Sequence, residues 1–232
     1  KEINVIERLP IILRKIKSIK NVIVVNYPGK NFLKIKKIKG VKIFLWKEIK
    51  KIIPKKIKFI KFDFDQELAI LYSSGTTGKP KCICHRSGGV LLQHLKEHQL
   101  HCEINSGDNI FYFTTCGWMM WNWLVSSLAS KASIVLFDGF PMYKNNDLLI
   151  RIVNKEKITL FGVSARYIDS LRKLNIIAKS KYNLYSLKTI CSTGSPLSED
   201  GFSYVYKNIK KNIHLASISG GTDIVSCFVL GN

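Results

Sequence analysis

The stretch YSSGTTGKPK, residues 72–81, sets two glycines, two threonines, two serines and two lysines around one proline, directly after the apolar run ELAIL. These residue types suit a bound polyphosphate. Glycines let backbone N–H groups approach an anion, hydroxyls donate to phosphate oxygens, and lysine adds positive charge. The loop is not of the Walker type, which needs G-x-x-x-x-G-K-[ST] with its lysine opening a helix. Here Gly75 and Gly78 are three apart, and Pro80 follows Lys79 where Ser or Thr should stand. A lone Gly/Ser/Thr loop reads as a turn between strands, but ten specified residues behind an apolar strand argue for a ligand. Lys79, beside Pro80, reads as a solvated loop residue.

Two further glycine loops, STGSP (192–196) and SGGTD (219–223), follow strand-like runs. His85 and His94 invite an acid–base reading, but none is assigned to them. His85, directly after the first loop, is read as a strand cap in preference to a phosphate contact. The six cysteines form no C-x-x-C pair, and Cys82-x-Cys84-His85 has no second ligand pair at zinc spacing, so reduced thiols are expected. In KCICH the alternation places Cys82 and Cys84 on one face of a strand.

The elements that must carry these loops read as repeated strand–helix units. Strands are predicted at 21–27, 67–74 and 132–139, a turn and strand at 106–115, a strand then a helix at 159–174, a strand with its glycine loop at 186–195, and a strand running into a short helix at 41–49. Helices are predicted at 87–104, with Val90, Leu91, Leu95 and Leu100 at helical spacing, and at 118–130, 145–158 and 196–209. Segment 118–130 is apolar nearly all round, as a buried helix would be. Segment 196–209 opens with Pro196 and acids, as helix N-termini prefer. Residues 215–230 read as strand, glycine turn, strand. This alternation predicts an α/β fold with largely parallel sheets flanked by helices, and ligands at the strand C-termini.

A chain of 232 residues, 46% hydrophobic and 11% aromatic, can bury a sizeable core as one large domain or two small ones. No apolar run reaches a membrane span, and the first residues are not a signal peptide. The formal charge of +21 raises a nucleic-acid reading. The excess concentrates in the Lys- and Ile-rich segment 36–61, which lacks the Arg and interleaved aromatics of an RNA platform. Lys, Ile and Asn dominate wherever the sequence looks unconstrained, as AT-rich codons would write. Compositional drift on a solvated surface is therefore preferred, and no nucleic acid is expected. Both ends look cut, the first residue being Lys and the last two following a strand-like run, so a fragment is expected.

YSSGTTGKPK resembles the phosphate-binding signature of the adenylate-forming superfamily, which holds acyl-CoA synthetases, luciferases and nonribosomal adenylation domains. With HRSGGVLLQHLKEHQLH, FTTCGWMMWNWLVSSL, CSTGSPLSEDGF and LASISGGTD, the chain is most similar to the branch that activates acetoacetate. The resemblance is weakest in the first 60 residues, and it implies part of an AMP-binding N-terminal domain. It implies ATP-dependent formation of an acyl-adenylate, release of pyrophosphate, and displacement of AMP by coenzyme A, in the cytoplasm and with small-molecule partners. Carried over by motif, Ser73, Ser74, Gly75, Thr76, Thr77, Gly78 and Lys81 would wrap the β- and γ-phosphates. Gly194, Ser195 and Pro196 would line the adenine, Thr222 would reach the α-phosphate, and Asp223 would serve Mg²⁺. Asp223 stands where the superfamily usually has Glu; being one methylene shorter, it would hold the metal through water.

The resemblance also implies the acyl pocket. Acetyl-CoA synthetases carry a Trp at the position of Gly220, so Gly220 and Gly221 would leave room for a longer acid, and Gly220→Trp is expected to favour acetate. Trp118, Met119 and Met120 would form the other wall, and Thr193 would offer its hydroxyl to the 3-keto oxygen. Plain helix core remains the alternative for Trp118, Met119, Met120 and Trp121. The ribose-binding Asp, the hinge and the small C-terminal domain with its catalytic Lys would lie beyond Asn232, so the isolated chain is expected to bind nucleotide weakly and to turn over poorly. Another short-chain acid, a truncated nucleotide-binding or interaction module and a basic nucleic-acid-binding protein are the competing readings. The reading frame past Asn232 discriminates among them.

Overall fold

The computed structural model describes residues 5–25, 37–53, 56–73 and 78–231. Ser74, Gly75, Thr76 and Thr77 of the first glycine loop lie outside the described residues. The chain divides into two compact units, Lys1–Lys61 and Phe62–Asn232.

In the first unit a 3-10 turn, Val5–Arg8, leads into helix α1, Leu9–Lys15, with Pro10 in its first turn, where a missing N–H costs nothing. Strands β1, Asn21–Val24, and β2, Lys42–Leu45, pair in parallel from Asn21 opposite Lys42. The expected strand-to-helix passage at 41–49 is present as β2 followed by the single turn α2, Trp46–Ile49. The Leu45 N–H donates to the Glu48 carboxylate at 3.0 Å, which starts that turn. Its Lys- and Ile-rich tail leaves Ile52, Ile53, Ile57, Phe59 and Ile60 exposed.

The second unit opens with an antiparallel hairpin, β3 Glu67–Ser73 and β4 Lys81–Arg86, in register Ser73 opposite Lys81. Cys82 and Cys84 share its exposed face, as the alternation predicts. Then follow α3 (Ser87–Lys96, continued by a π-helical turn Glu97–His101), β5 (Asn109–Tyr112), α4 (Met119–Ser126), β6 (Ser133–Ile134) and α5 (Leu148–Lys155). Next come β7 (Leu160–Ser164), α6 (Ala165–Lys173), α7 (Ala178–Lys181), β8 (Thr189–Thr193), α8 (Glu199–Tyr204) and β9 (His214–Ser217). Strands β10 (Ser219–Gly221) and β11 (Ser226–Val229) form a second antiparallel hairpin.

Strands β6-β5-β7-β8-β9 form a wholly parallel sheet in that order. Successive side chains leave a strand on opposite faces, and a sheet covered on both sides must be apolar on both. Phe111, Phe161, Val163, Ile190 and Leu215 accordingly join one buried cluster with Leu149 and Val153 of α5 and Ile168 and Leu171 of α6. Ile110, Tyr112, Leu160, Cys191 and Ala216 join the other, with Val90 of α3 and Met120, Trp123 and Leu124 of α4.

Three elements differ from the sequence expectation. The run 132–139 pairs only over Ser133–Ile134. Pro196 precedes helix α8 rather than opening it. Ser198 is the cap, its Oγ accepting from the Gly201 N–H at 3.1 Å, while Glu199 and Asp200 hold the first turn. Gly220 and Gly221, expected in a turn, form β10, and the turn is Thr222 to Val225.

Candidate active site

A cavity of about 430 Å³ opens beyond the C-terminal ends of β8 and β9, where a parallel sheet places its ligands. The end of β8 contributes Thr193, Gly194, Ser195 and Pro196; Gly194 turns the chain at φ +86°, a conformation that suits glycine. The β9–β10 segment adds Ser217 to Thr222, and the start of α4 adds Trp118, Met119, Met120 and Trp123. Glu97 of the π-helical turn and Ser226 and Cys227 of β11 complete the wall. Of the residues singled out from sequence, Trp118, Met119, Met120, Thr193, Gly194, Ser195, Pro196, Gly220, Gly221 and Thr222 therefore meet around one space. Ser73, Gly78, Lys81 and Asp223 lie outside that wall; Lys81 and Asp223 are exposed.

Burial gives the cavity a direction. Gly194, Ser195 and Pro196 are exposed, so they form its mouth, whereas Glu97, Met120, Trp123, Thr193 and Ser226 are buried and form its inner end. At that end Thr193 Oγ1 and the Tyr112 hydroxyl share a hydrogen bond at 3.0 Å, with either able to donate. Burial pushes the Tyr112 hydroxyl well above its ordinary range, so it keeps its proton. Tyr112 of β5 sits opposite Gly162 of β7, where a Cβ would lie 2.1 Å from its ring. The glycine thus makes room for the tyrosine that reaches Thr193.

Helix α3 and its π-helical turn face inward with Val90, His94, Glu97 and His98, spaced i, i+4, i+7 and i+8, while Leu91, Leu92 and Leu100 are exposed. The apolar spacing read from sequence therefore misplaces this face, because three of its four buried residues are polar. The Glu97 carboxylate accepts from the Trp123 indole N–H at 2.9 Å, the Cys227 N–H at 3.2 Å, the Gln93 amide at 3.2 Å and the Ser226 hydroxyl. Burial works to raise its pKa, but the bonds from Ser226, Cys227 and Trp123 outweigh it and hold the group below the ordinary carboxylate range. Glu97 gave no motif-level signal; its only trace was its register with Val90, His94 and His98.

The histidines are structural. His85 Nε2 donates to the Thr222 carbonyl at 2.8 Å, tying strand β4 to the turn after β10 in place of the strand cap read from sequence. His94 Nε2 donates to the Val225 carbonyl at 2.7 Å, and its Nδ1 meets the Ser126 hydroxyl at 2.7 Å. Val225 has φ +50°, a left-handed conformation that is strained for a β-branched residue, and this bond helps to hold it. His98 stands edge-on to Trp123 with ring centroids 4.2 Å apart and neither nitrogen bonded, and burial depresses its pKa to about 3.

Gly220 has a second reason to be glycine. A Cβ there would lie 2.2 Å from the Ser226 carbonyl oxygen and 2.7 Å from Cys227 Cα, because β10 and β11 approach closely at this pair. A tryptophan at 220 would first strike β11, so the expected Gly220→Trp switch toward acetate does not follow from this backbone. Gly221 has open space, its nearest neighbour being Asp223 Oδ2 at 3.9 Å.

A family model described as AMP-binding enzyme matches residues 4–223. The chain belongs to the AMP-binding enzyme family. It is 56% identical over 174 residues to an acetoacetyl-coenzyme A synthetase of Rhizobium meliloti, covering 75% of this chain and 27% of that protein. It is 43% identical over 233 residues to an acetoacetyl-CoA synthetase of Gallus gallus, covering 99% of this chain and 35% of that protein. A solved acetoacetyl-CoA synthetase from Streptomyces lividans superposes with a TM-score of 0.86 at 35% identity, over 100% of this chain and 35% of that one. The chain thus spans between 27% and 35% of the length of these relatives. Among the described residues no helix is long and apolar enough to cross a membrane.

Two outcomes are expected for this AMP-binding chain. Gly220→Ala forces β10 from β11 and lowers stability by about 1–3 kcal/mol, whereas Gly221→Ala changes it by less than about 1 kcal/mol; urea midpoints measure both. His98 is neutral when folded down to a pH of about 3 and takes a proton near 6.5 when unfolded. Its contribution is therefore complete above pH 6.5 and is lost as the pH falls toward about 3. His98→Phe should flatten the stability curve in that window, as read by denaturation at several pH values.

Proposed function

We propose that the protein activates acetoacetate with ATP and transfers the acyl group to coenzyme A, as an AMP-forming acid–thiol ligase. The observation that carries this reading is the hydroxyl pair of Thr193 and Tyr112 at the buried inner end, which Met120 and Trp123 also line. With Tyr112 donating to Thr193, the Thr193 proton is left to point at a keto oxygen. The reacting carboxylate then lies toward the mouth, near Thr222.

Attack of one carboxylate oxygen on the α-phosphorus brings two anions together, so the site must align them and offset their charge. The new O–P bond forms as the bond to pyrophosphate breaks; the CoA thiol then attacks the acyl carbon and AMP leaves. Ser73, Ser74, Gly75, Thr76, Thr77, Gly78 and Lys81 are assigned to the β- and γ-phosphates, Gly194, Ser195 and Pro196 to the adenine, and Thr222 to the α-phosphate. Met119, Met120, Trp118, Gly220 and Gly221 are assigned to the acyl pocket.

Asp223 carries a carboxylate turned back toward Gly221, and among the described residues no group of three or more metal-ligating side chains occurs. Such a lone carboxylate fits Mg²⁺, which takes one or two carboxylates and completes its shell with water and substrate phosphates. Bound there, the ion would neutralise phosphate charge. Within this reading the chain is part of the larger AMP-binding domain and acts in the cytoplasm, a placement supported by its six free cysteines.

In the protein translated from the whole reading frame, ATP–pyrophosphate exchange should depend on acetoacetate and exceed that with acetate or butyrate. Thr193→Val should raise KM for acetoacetate by about tenfold and leave KM for butyrate within about threefold, since one hydrogen bond to an uncharged group is lost. Salt-sensitive binding of random RNA without exchange would favour a basic nucleic-acid-binding protein instead.

A further inference from the structure

Among the described residues the cavity wall contains one carboxylate, and it stands at the buried inner end. Glu97 lines the cavity while only 2% exposed. Both its oxygens are engaged, Oε2 by the Trp123 indole and Oε1 by Gln93, Ser226 and the Cys227 N–H, so the carboxylate is fixed in place. All four donors are neutral and none cancels its charge. Among the described residues the Lys96 ammonium pairs with Oε1 at 3.9 Å, but from a side chain 40% exposed to solvent, where water screens its charge. His94 and His98, which pack against the same helix turn, are held uncharged by burial.

A negative charge fixed at the buried end of a pocket has one clear consequence for an acid substrate. The acid must bring one carboxylate to the mouth, and its far end then approaches Glu97. Acetoacetate and malonate have nearly the same size and shape, a methyl group in the one standing where the other has a carboxylate oxygen. A pocket cannot separate such isosteres by shape, whereas like-charge contact in a site of low polarity separates them strongly.

We propose that Glu97 is a specificity-determining residue that bars a second carboxylate from the inner end of the cavity, restricting the site to monocarboxylic acids whose far end is uncharged. This inference rests on the acid–thiol ligase reading above.

The test is acid-dependent ATP–pyrophosphate exchange with acetoacetate, butyrate, malonate and malonamate, the neutral amide of malonate, in the protein from the whole reading frame. The unaltered protein should prefer acetoacetate to malonate by about 100-fold and malonamate to malonate by at least about tenfold. Glu97→Gln should raise the malonate-to-acetoacetate ratio of kcat/KM about tenfold or more and leave the butyrate-to-acetoacetate ratio within about threefold. Ser226→Ala, which removes a donor but keeps the charge, should retain the exclusion of malonate. Equal use of malonate and acetoacetate by the unaltered protein overturns the proposal, as does equal rejection of malonate and malonamate. It also falls if Glu97→Gln leaves the malonate ratio unchanged, or if Ser226→Ala raises it equally, since packing rather than charge would then be responsible. Should Glu97→Gln fail to fold, the comparison of malonamate with malonate decides alone. Absence of exchange with any of the acids would overturn the ligase reading itself, and this inference with it.

Discussion

The cavity depends on one buried carboxylate. Glu97 takes a hydrogen bond from Trp123 of α4, one from Gln93 of α3 and two from β11, so three elements distant in sequence meet at a single group. A carboxylate removed from water is costly unless its lone pairs are satisfied, and once satisfied it resists displacement. His94 and His85 add ties from α3 and β4 to the turn between β10 and β11. This hairpin, which is not part of the parallel sheet, is thereby held as a wall.

The parallel sheet supplies the rest. Strands β8 and β9 end side by side, so the glycine loop after one faces the Thr222 turn after the other. Strand β5 lies beyond β7, two strands from β8, and its Tyr112 reaches Thr193 across the space that Gly162 of β7 leaves open. The helices on the cavity side, α3 and α4, bring Glu97, Met120 and Trp123 to its inner end. The mouth is thus made of exposed, glycine-bearing loops, and the inner end of buried side chains.

Much of this was legible in the sequence. The strand–helix alternation announced the parallel sheet, and STGSP marked the end of one of its strands, because apolar runs and glycine turns are local signals; YSSGTTGKPK and SGGTD instead belong to antiparallel hairpins. The meeting of GWMM with STGSP and SGGT followed from the resemblance to adenylate-forming enzymes. The polar face of α3 was not legible. Hydrophobic spacing seeks apolar residues, and here His94, Glu97 and His98 are buried because each lies against α4 or β11. Gly220 was half legible. Its lack of bulk suggested an open pocket, while the close approach of β11 that also demands glycine is a long-range contact that no local pattern announces.

In the proposed reaction the acid lies along the cavity with its reacting carboxylate at the mouth and its far end inside. A crystal structure with acetoacetate and a non-hydrolysable ATP analogue tests this most directly. The keto oxygen should lie within hydrogen-bond reach of Thr193 Oγ1, the methyl group toward Glu97 and Trp123, and the carboxylate beside Thr222. Acetoacetate bound outside this cavity, or turned with its carboxylate against Glu97, would contradict it.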